Sequence, residues 1–146
     1  MSDSNSLRRE VKCSLLSKFV TNLYIVITFT RILSLPHYTL CATAILVQDL
    51  PPELVRKLPR YPLIPATLLG RLAVDSRYQG QGLGTFLLLD ALRRSLMSEI
   101  ASYAVVVDAI DAKASVFYQH HQFIPFPNQP QRLYLPMATL SSMFEG

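Results

Sequence analysis

Residues 72–84 read LAVDSRYQGQGLG, and this stretch decides the fold class. An apolar run of Leu72, Ala73 and Val74 leads into a turn that carries Gly80, Gly82 and Gly84 at alternate positions. From Thr85 a helical period begins. Glycine lets a backbone approach a ligand closely and take positive φ. Where such a turn enters a helix, successive amides point at one spot and the dipole there favours an anion. Strand, glycine turn and helix in that order suit a pyrophosphate. Two other phosphate loops fail on spacing. The dinucleotide fingerprint needs glycine two and five residues after the first, and the fifth position from Gly80 is Thr85. The Walker loop needs Gly-Lys-Ser/Thr, a run the chain does not contain.

Downstream of the turn, residues 85–97 carry the clearest helical period. Leu88, Leu89, Leu92 and Leu96 form its apolar stripe, with Asp90, Arg93 and Arg94 facing out. Asp90 and Arg94 have the spacing of a helical ion pair. Residues 103–107 (YAVVV) read as a buried strand. A helix is predicted from Ala112 to His121, with Asp111 as its N-cap. Short strands follow at 123–126 and 132–135, separated by the turn PNQP. Upstream, residues 66–74 (ATLLGRLAV) and 37–47 (HYTLCATAILV) read as strands, the second half-buried by its alternation. Between them, residues 49–65 hold five prolines (DLPPELVRKLPRYPLIP). Pro52 and Glu53 open a short helix there, with Asp49 as candidate cap and Pro59 as its stop. Residues 23–29 (LYIVITF) read as a further strand that 32–35 continue or turn, 7–18 as a weak helix, and 1–6 as a polar, disordered end. The sum is a mixed α/β sheet with helices on its faces.

A chain of 146 residues has room for one domain. With 50% hydrophobic and 16% charged residues it is built for a packed core. The net charge of +4 is compatible with an anionic partner without demanding one. Cys13 and Cys41 lack CxxC spacing, which argues against a disulfide scaffold or zinc site and makes the reducing cytoplasm the expected location. His120 and His121 are adjacent at the end of a predicted helix and point in different directions, and His37 stands apart, so no metal is expected. Residues 19–47 are apolar overall, but Asn22, Arg31, Pro36 and His37 break the run well short of the ~18–20 residues a membrane helix needs. Asp3 and Glu10 ahead of it disfavour a signal peptide, so no membrane association is expected.

The pattern R-x-x-G-x-G, from Arg77 through Gly80 to Gly82, resembles the coenzyme A pyrophosphate loop of the GNAT acetyltransferases. The flanking strand and leucine-striped helix are also features of that family. A second segment, residues 111–125 (DAKASVFYQHHQFIP), resembles the family's later helix and the strand after it. The resemblance implies a GNAT (acyl-CoA N-acyltransferase) fold: one domain over residues 1–146, with a mixed twisted sheet and helices on both faces. It implies acetyl-CoA as cofactor. Backbone amides at Leu72, Ala73 and Val74 would hold the pantetheine arm and polarise the thioester, by oxyanion-hole logic. Arg77, Gln79, Gly80, Gln81, Gly82, Leu83, Gly84 and Thr85 would hold the pyrophosphate. Tyr118 matches the tyrosine that sits near the coenzyme's sulfur and would donate to the departing thiolate. Phe123 matches the aromatic on the next strand, and Phe117 reads as core.

Residues 49–84, together with 123–137 (FIPFPNQPQRLYLPM), are similar to one GNAT branch, the toxins of type II toxin–antitoxin systems, and the likeness spans roughly residues 37–137. That likeness implies acetylation of the α-amino group of aminoacyl-tRNA, a block on translation, and neutralisation by a ribbon-helix-helix antitoxin; a homodimer is compatible with it. An α-amino group has a pKa of about 7.7–8.0, so roughly a tenth to a fifth is neutral at pH 7 and no strong base is required. No paired carboxylates stand near the site, and Asp108 and Asp111 read as solvated or capping groups. Arg56, Lys57, Arg60, Arg77, Arg93 and Arg94 are the cations available to phosphates. Residues 1–18 depart from the branch, which usually begins with a further strand and two helices that wall the acceptor site. Its Phe-x-Cys-Gly-like stretch is missing, and Pro36-His37-Tyr38 stands where Gly-Tyr-Tyr is common. An incomplete amino-terminal strand and helices are therefore expected, with cofactor binding surviving better than turnover. Two other readings remain at this point: a GNAT enzyme for a small-molecule or protein amine, and a truncated non-catalytic module that binds coenzyme A or antitoxin.

Overall fold

The computed structural model describes residues 37–74 and 76–146, so the strand expected at 23–29 and the helix expected at 7–18 lie outside the described residues. Among the described residues, five strands form one mixed sheet in the order β1-β2-β3-β5-β4. β1 (His37–Leu46) and β2 (Leu63–Ala73) pair antiparallel. The proline-rich link between them holds the four-residue helix α1 (Pro52–Val55). β2 then crosses through α2 (Leu83–Leu96) to pair parallel with β3 (Ala104–Asp108). Parallel neighbours need such a crossover because no tight turn can join them. After α3 (Ala112–His120), β4 (Ile124–Phe126) and β5 (Gln129–Pro136) form a hairpin, with β5 antiparallel to β3. The chain closes with α4 (Met137–Glu145).

The central strand explains both layers. Ala104, Val105, Val106 and Val107 are all fully buried, which is why this segment reads as a continuous apolar run. Val105 and Val107 face a layer that contains Leu88, Ala91 and Leu92 of α2, Tyr118 of α3 and Leu140 of α4. Ala104 and Val106 face the opposite layer, with Ile45, Ile64, Phe126 and Tyr134, under Leu54, Val55 and Leu58 of the proline-rich segment. Among the described residues, helices thus cover both faces, three long ones on the first and only the short α1 on the second.

Several local expectations shift. α2 starts at Leu83, two residues earlier than its apolar stripe suggests, because Gly82 rather than a polar side chain stands at its N-cap. Its inward side is Leu88, Ala91, Leu92 and Ser95, whereas Leu89 is 39% exposed. Ser95 is tolerated inside because its hydroxyl donates to the Ala91 carbonyl at 2.9 Å. Asp49 does not cap α1: it sits in the preceding 3-10 turn Val47–Asp49, and Pro51 occupies the N-cap. α4 is an addition, visible afterwards in the helical spacing of Met137, Leu140 and Met143. Among the described residues no helix is long and apolar enough to cross a membrane, and no three His, Cys, Asp or Glu side chains converge as a metal site.

Candidate functional site

The site begins with a fault in β2. The β1–β2 register slips between Thr39 and Leu40, where Thr39 opposes Arg71 and Leu40 opposes Leu69, leaving Gly70 as the extra residue of a bulge. A Cβ at Gly70 would stand 3.0 Å from Thr39 Oγ1, so a larger residue at the bulge would have to push that hydroxyl aside. The bulge also resets the side-chain alternation. Leu69 and Leu72 are an odd number of residues apart, yet both join the α2 layer, each opposite its β1 neighbour, Leu40 or Tyr38. The parallel ladder to β3 ends at Leu69 opposite Val107, while β2 runs on to Ala73. Among the described residues, the backbone edge of Leu72 and Ala73 that faces away from β1 therefore has no strand partner.

Beyond β2 the chain passes through the 3-10 turn Ser76–Tyr78 into the glycine loop. Gln79 folds back, its Nε2 donating to the Val74 carbonyl at 3.2 Å, which ties the loop to the end of the strand. Gly80 and Gly82 take φ of 80° and 79°, the left-handed region that other residues rarely adopt. A Cβ built on either would meet no heavy atom within 4 Å, so the space above the loop is open. No side chain caps α2, and the first helical bond runs from the Phe86 amide to the Gly82 carbonyl at 3.0 Å. The amides of Leu83, Gly84 and Thr85 precede that bond, at the positive end of a 14-residue helix. Arg77 lies exposed beside the loop, its guanidinium 5.9 Å from the centre of the Tyr78 ring.

α3 is built against this helix start. Asp111 caps it, accepting from the Ala114 amide at 2.7 Å, as its sequence position indicates. Phe117 lies under Gly84, where a Cβ would be 3.7 Å from the ring. His121 Nε2 is 3.3 Å from Thr85 Oγ1, and burial, followed by the neighbouring His120, lowers the His121 pKa and keeps the imidazole neutral. α3 ends in a Schellman motif: the Phe123 amide donates to the Tyr118 carbonyl at 3.1 Å and the Gln122 amide to the Gln119 carbonyl at 3.0 Å. Gln122 supplies the left-handed residue this requires, at φ 69°.

That ending fixes Tyr118. Its ring makes edge contacts with Phe117 at 5.3 Å and Phe123 at 5.5 Å and is only 8% exposed. Burial alone pushes its pKa up, with no hydrogen bond contributing, so the phenol is protonated at neutral pH. Among the described residues no fully buried side-chain polar atom lacks a partner. Ring packing thus positions the Tyr118 side chain. Tyr118 and Leu72 share one core layer.

The structure thus joins the end of β2, the glycine loop and Tyr118 along one side of the sheet. It does not unite the cations. Arg56, Lys57 and Arg60 belong to the segment on the opposite face from α2, and Arg93 and Arg94 lie at the far end of α2 from the loop. Asp111 is occupied as a cap, and Asp108 is an exposed partner of Arg132 at 3.8 Å. Sequence reasoning missed the bulge, whose signal was a glycine inside a strand pattern. It also missed the bond between Tyr38 and Asp90, which no local pattern announces.

The family model described as an acetyltransferase (GNAT) domain matches residues 52–125. Among curated relatives, the tRNA-acetylating toxin of Mycobacterium tuberculosis (strain ATCC 25618 / H37Rv) is 37% identical over 102 residues, 68% of this chain and 60% of that protein. Among solved structures, AtaT complexed with acetyl-methionyl-tRNAfMet is 32% identical with a TM-score of 0.69, over 75% of this chain and 66% of that one. A mutant AtaT toxin bound to the C-terminus of the antitoxin AtaR and acetyl-CoA is 27% identical with a TM-score of 0.62, over 77% of this chain and 66% of that one. The chain spans about three fifths of the length of the curated relative. Its glycine loop and the whole of α3 fall inside the matched residues, and the chain belongs to the GNAT acetyltransferase-domain family.

Proposed function

We propose that this chain binds acetyl-CoA and transfers the acetyl group to a primary amine, the α-amino group of aminoacyl-tRNA, and that it acts as a translation-blocking toxin. The observation that carries the reading is the alignment of an unpaired strand edge at Leu72 and Ala73, an uncapped helix start at Leu83, and the Tyr118 hydroxyl on one side of the sheet. The residues fit the ligand. The open space over Gly80 and Gly82 admits a pyrophosphate against the backbone, and the amides of Leu83, Gly84 and Thr85 are donors with no capping side chain in the way. Arg77, Gln79 and Gln81 flank that position, Gln79 through its main chain because its amide group already serves Val74.

Acetyl-CoA supplies an activated thioester. The amides among Leu72, Ala73 and Val74 that point away from β1, every second one along the strand, would donate to the pantetheine arm and to the thioester carbonyl, where negative charge develops. The acceptor's neutral amine would attack that carbon, forming the C–N bond as the C–S bond breaks with its electron pair going to sulfur. The proton shed by the amine would pass through water to the thiolate. Tyr118, held protonated by burial, donates a hydrogen bond to the departing sulfur. Its pKa lies above that of a thiol of about 8.5, so hydrogen bonding serves better here than complete proton transfer. The site needs no carboxylate base for an amine that is partly neutral at pH 7.

The tRNA acceptor is supported by the names of the similar proteins, a tRNA-acetylating toxin and AtaT with acetyl-methionyl-tRNAfMet. An antitoxin partner is supported by the AtaT–AtaR complex. A ribbon-helix-helix antitoxin, a homodimer, a cytoplasmic location and a single domain over residues 1–146 complete the proposal. The test is incubation with labelled acetyl-CoA and charged total tRNA, followed by counting the RNA fraction. Label is expected on charged tRNA and lost when the tRNA is deacylated first, and transfer is expected to fall steeply with rising salt. Label on deacylated tRNA, or none on any charged tRNA despite tight acetyl-CoA binding, overturns the acceptor assignment.

A further inference from the structure

Tyr38, Asp90 and Arg94 form a polar chain that the proposed reaction does not use. Tyr38 stands on β1 opposite Leu72, and its ring packs in the same layer as Leu72 and α2. Its hydroxyl donates to Asp90 Oδ2 on α2, and Arg94 Nε, one turn further on, donates to the same oxygen at 3.0 Å. The Tyr38 bond, ahead of Arg94, holds the Asp90 carboxyl below the usual carboxylate range. Burial, then the bond to Asp90, pushes the Tyr38 pKa up to about 12. The contact therefore keeps one protonation state across the physiological range. It is a strut and not a switch.

The strut sits where it can set a distance. The chain from Leu72 to Asp90 contains the unpaired end of β2, the glycine loop and the first two turns of α2. Tyr38 holds both ends of this segment, the first through its place in the strand ladder and the second through its hydroxyl. We infer that Tyr38 and Asp90 are positioning residues that fix the spacing between the β2 edge at Leu72 and the amino-terminal end of α2. This inference rests on the acetyl-CoA reading, since only a ligand that reaches both ends depends on that spacing. Without the strut, such a ligand must order the segment on binding, and affinity falls. A ligand held by the loop alone is indifferent.

Tyr38→Phe keeps the ring and removes the hydroxyl. Calorimetry on the full chain compares acetyl-CoA with adenosine 3′,5′-bisphosphate, which has phosphates but no pantetheine arm. In Tyr38→Phe, acetyl-CoA affinity is expected to fall about tenfold and bisphosphate affinity to change less than about twofold. Asp90→Asn, a weaker acceptor, is expected to shift acetyl-CoA the same way, and the double variant to be no worse than Tyr38→Phe alone. Unchanged acetyl-CoA affinity in both single variants overturns the inference. So does an equal loss for both ligands with a lowered melting temperature, which marks a contact that only supports the fold. Failure of the unmodified chain to bind either ligand overturns the acetyl-CoA reading itself, and the inference with it.

Discussion

Around Gly80 and Gly82 a Cβ would touch nothing within 4 Å, whereas around Tyr118 aromatic rings close in at 5.3 and 5.5 Å. The two ends of the proposed site are built by opposite means. The loop end works by absence: no side chains over the backbone, no cap on the helix, amides left for a ligand. The Tyr118 end works by packing, with a helix stop and two aromatic neighbours around the ring. Filling the loop is therefore expected to weaken acetyl-CoA binding while the core, which does not involve it, stays intact. Changing the Tyr118 hydroxyl is expected to alter what happens to a bound thioester and to leave the binding surface as it was.

The largest expected effect is at the loop. Gly82→Trp puts an indole into the open space and a Cβ on a residue at φ 79°. Acetyl-CoA affinity is expected to fall by far more than about tenfold, because the backbone can no longer be approached. The strained conformation costs about 1–2 kcal/mol of stability, small enough for the variant to stay folded. Calorimetry and a thermal melt on the same sample separate the two terms. Unchanged affinity in the folded variant would remove the loop from the site.

Tyr118→Phe comes next. The ring and its contacts with Phe117 and Phe123 persist, so acetyl-CoA affinity is expected to stay close to that of the unmodified chain. Turnover is expected to fall roughly a hundredfold, since the lost donor acts only as charge develops on sulfur. Burial raises the Tyr118 pKa, so its donor form persists through neutral pH and is lost only on the alkaline side of the ordinary tyrosine value. A pH–rate profile of the unmodified chain should therefore show no loss from this group between pH 6 and about 9. A Phe variant that turns over at the full rate would assign Tyr118 to the core alone.

The same contrast explains what the sequence made legible. The loop end is written in consecutive residues, so strand, glycines and helix could be placed from spacing, with α2 off by two residues at its start. Asp111 as a cap was equally local, and it is where expected. The role given to Tyr118 came only with the family resemblance, since a buried tyrosine between aromatics looks like core in any pattern. The edge of β2 was harder still. It depends on where β3 stops pairing and on a bulge at Gly70, both properties of two strands together. Tyr38 and Asp90 lie on different elements with the whole loop between them, and their bond has no signature along the chain. The placement of the cations was likewise not legible, because the sheet separates residues that are interchangeable in a list of charges.

The smallest expected effect sharpens the comparison from the packed end. Gln122 holds φ 69° in the turn that stops α3, a conformation in which a residue with a Cβ is less stable than glycine by about 1–2 kcal/mol. Its side chain is exposed, and the turn's two bonds, Phe123 to Tyr118 and Gln122 to Gln119, involve only the backbone. Gln122→Gly therefore removes strain and no contact, while the freer unfolded chain returns roughly 0.5–1 kcal/mol of that gain. A net stabilisation of about 0.5–1 kcal/mol is expected, a rise of a few degrees in Tm, with acetyl-CoA affinity and turnover unchanged. Glycine is thus expected to help at both ends for different reasons: at the loop because a ligand needs the space, and here because the backbone needs the angle. A lower Tm in Gln122→Gly would mean that the glutamine side chain supports the helix stop. A higher Tm with reduced turnover would mean that Tyr118 depends on the strain itself, and packing alone would no longer account for its position.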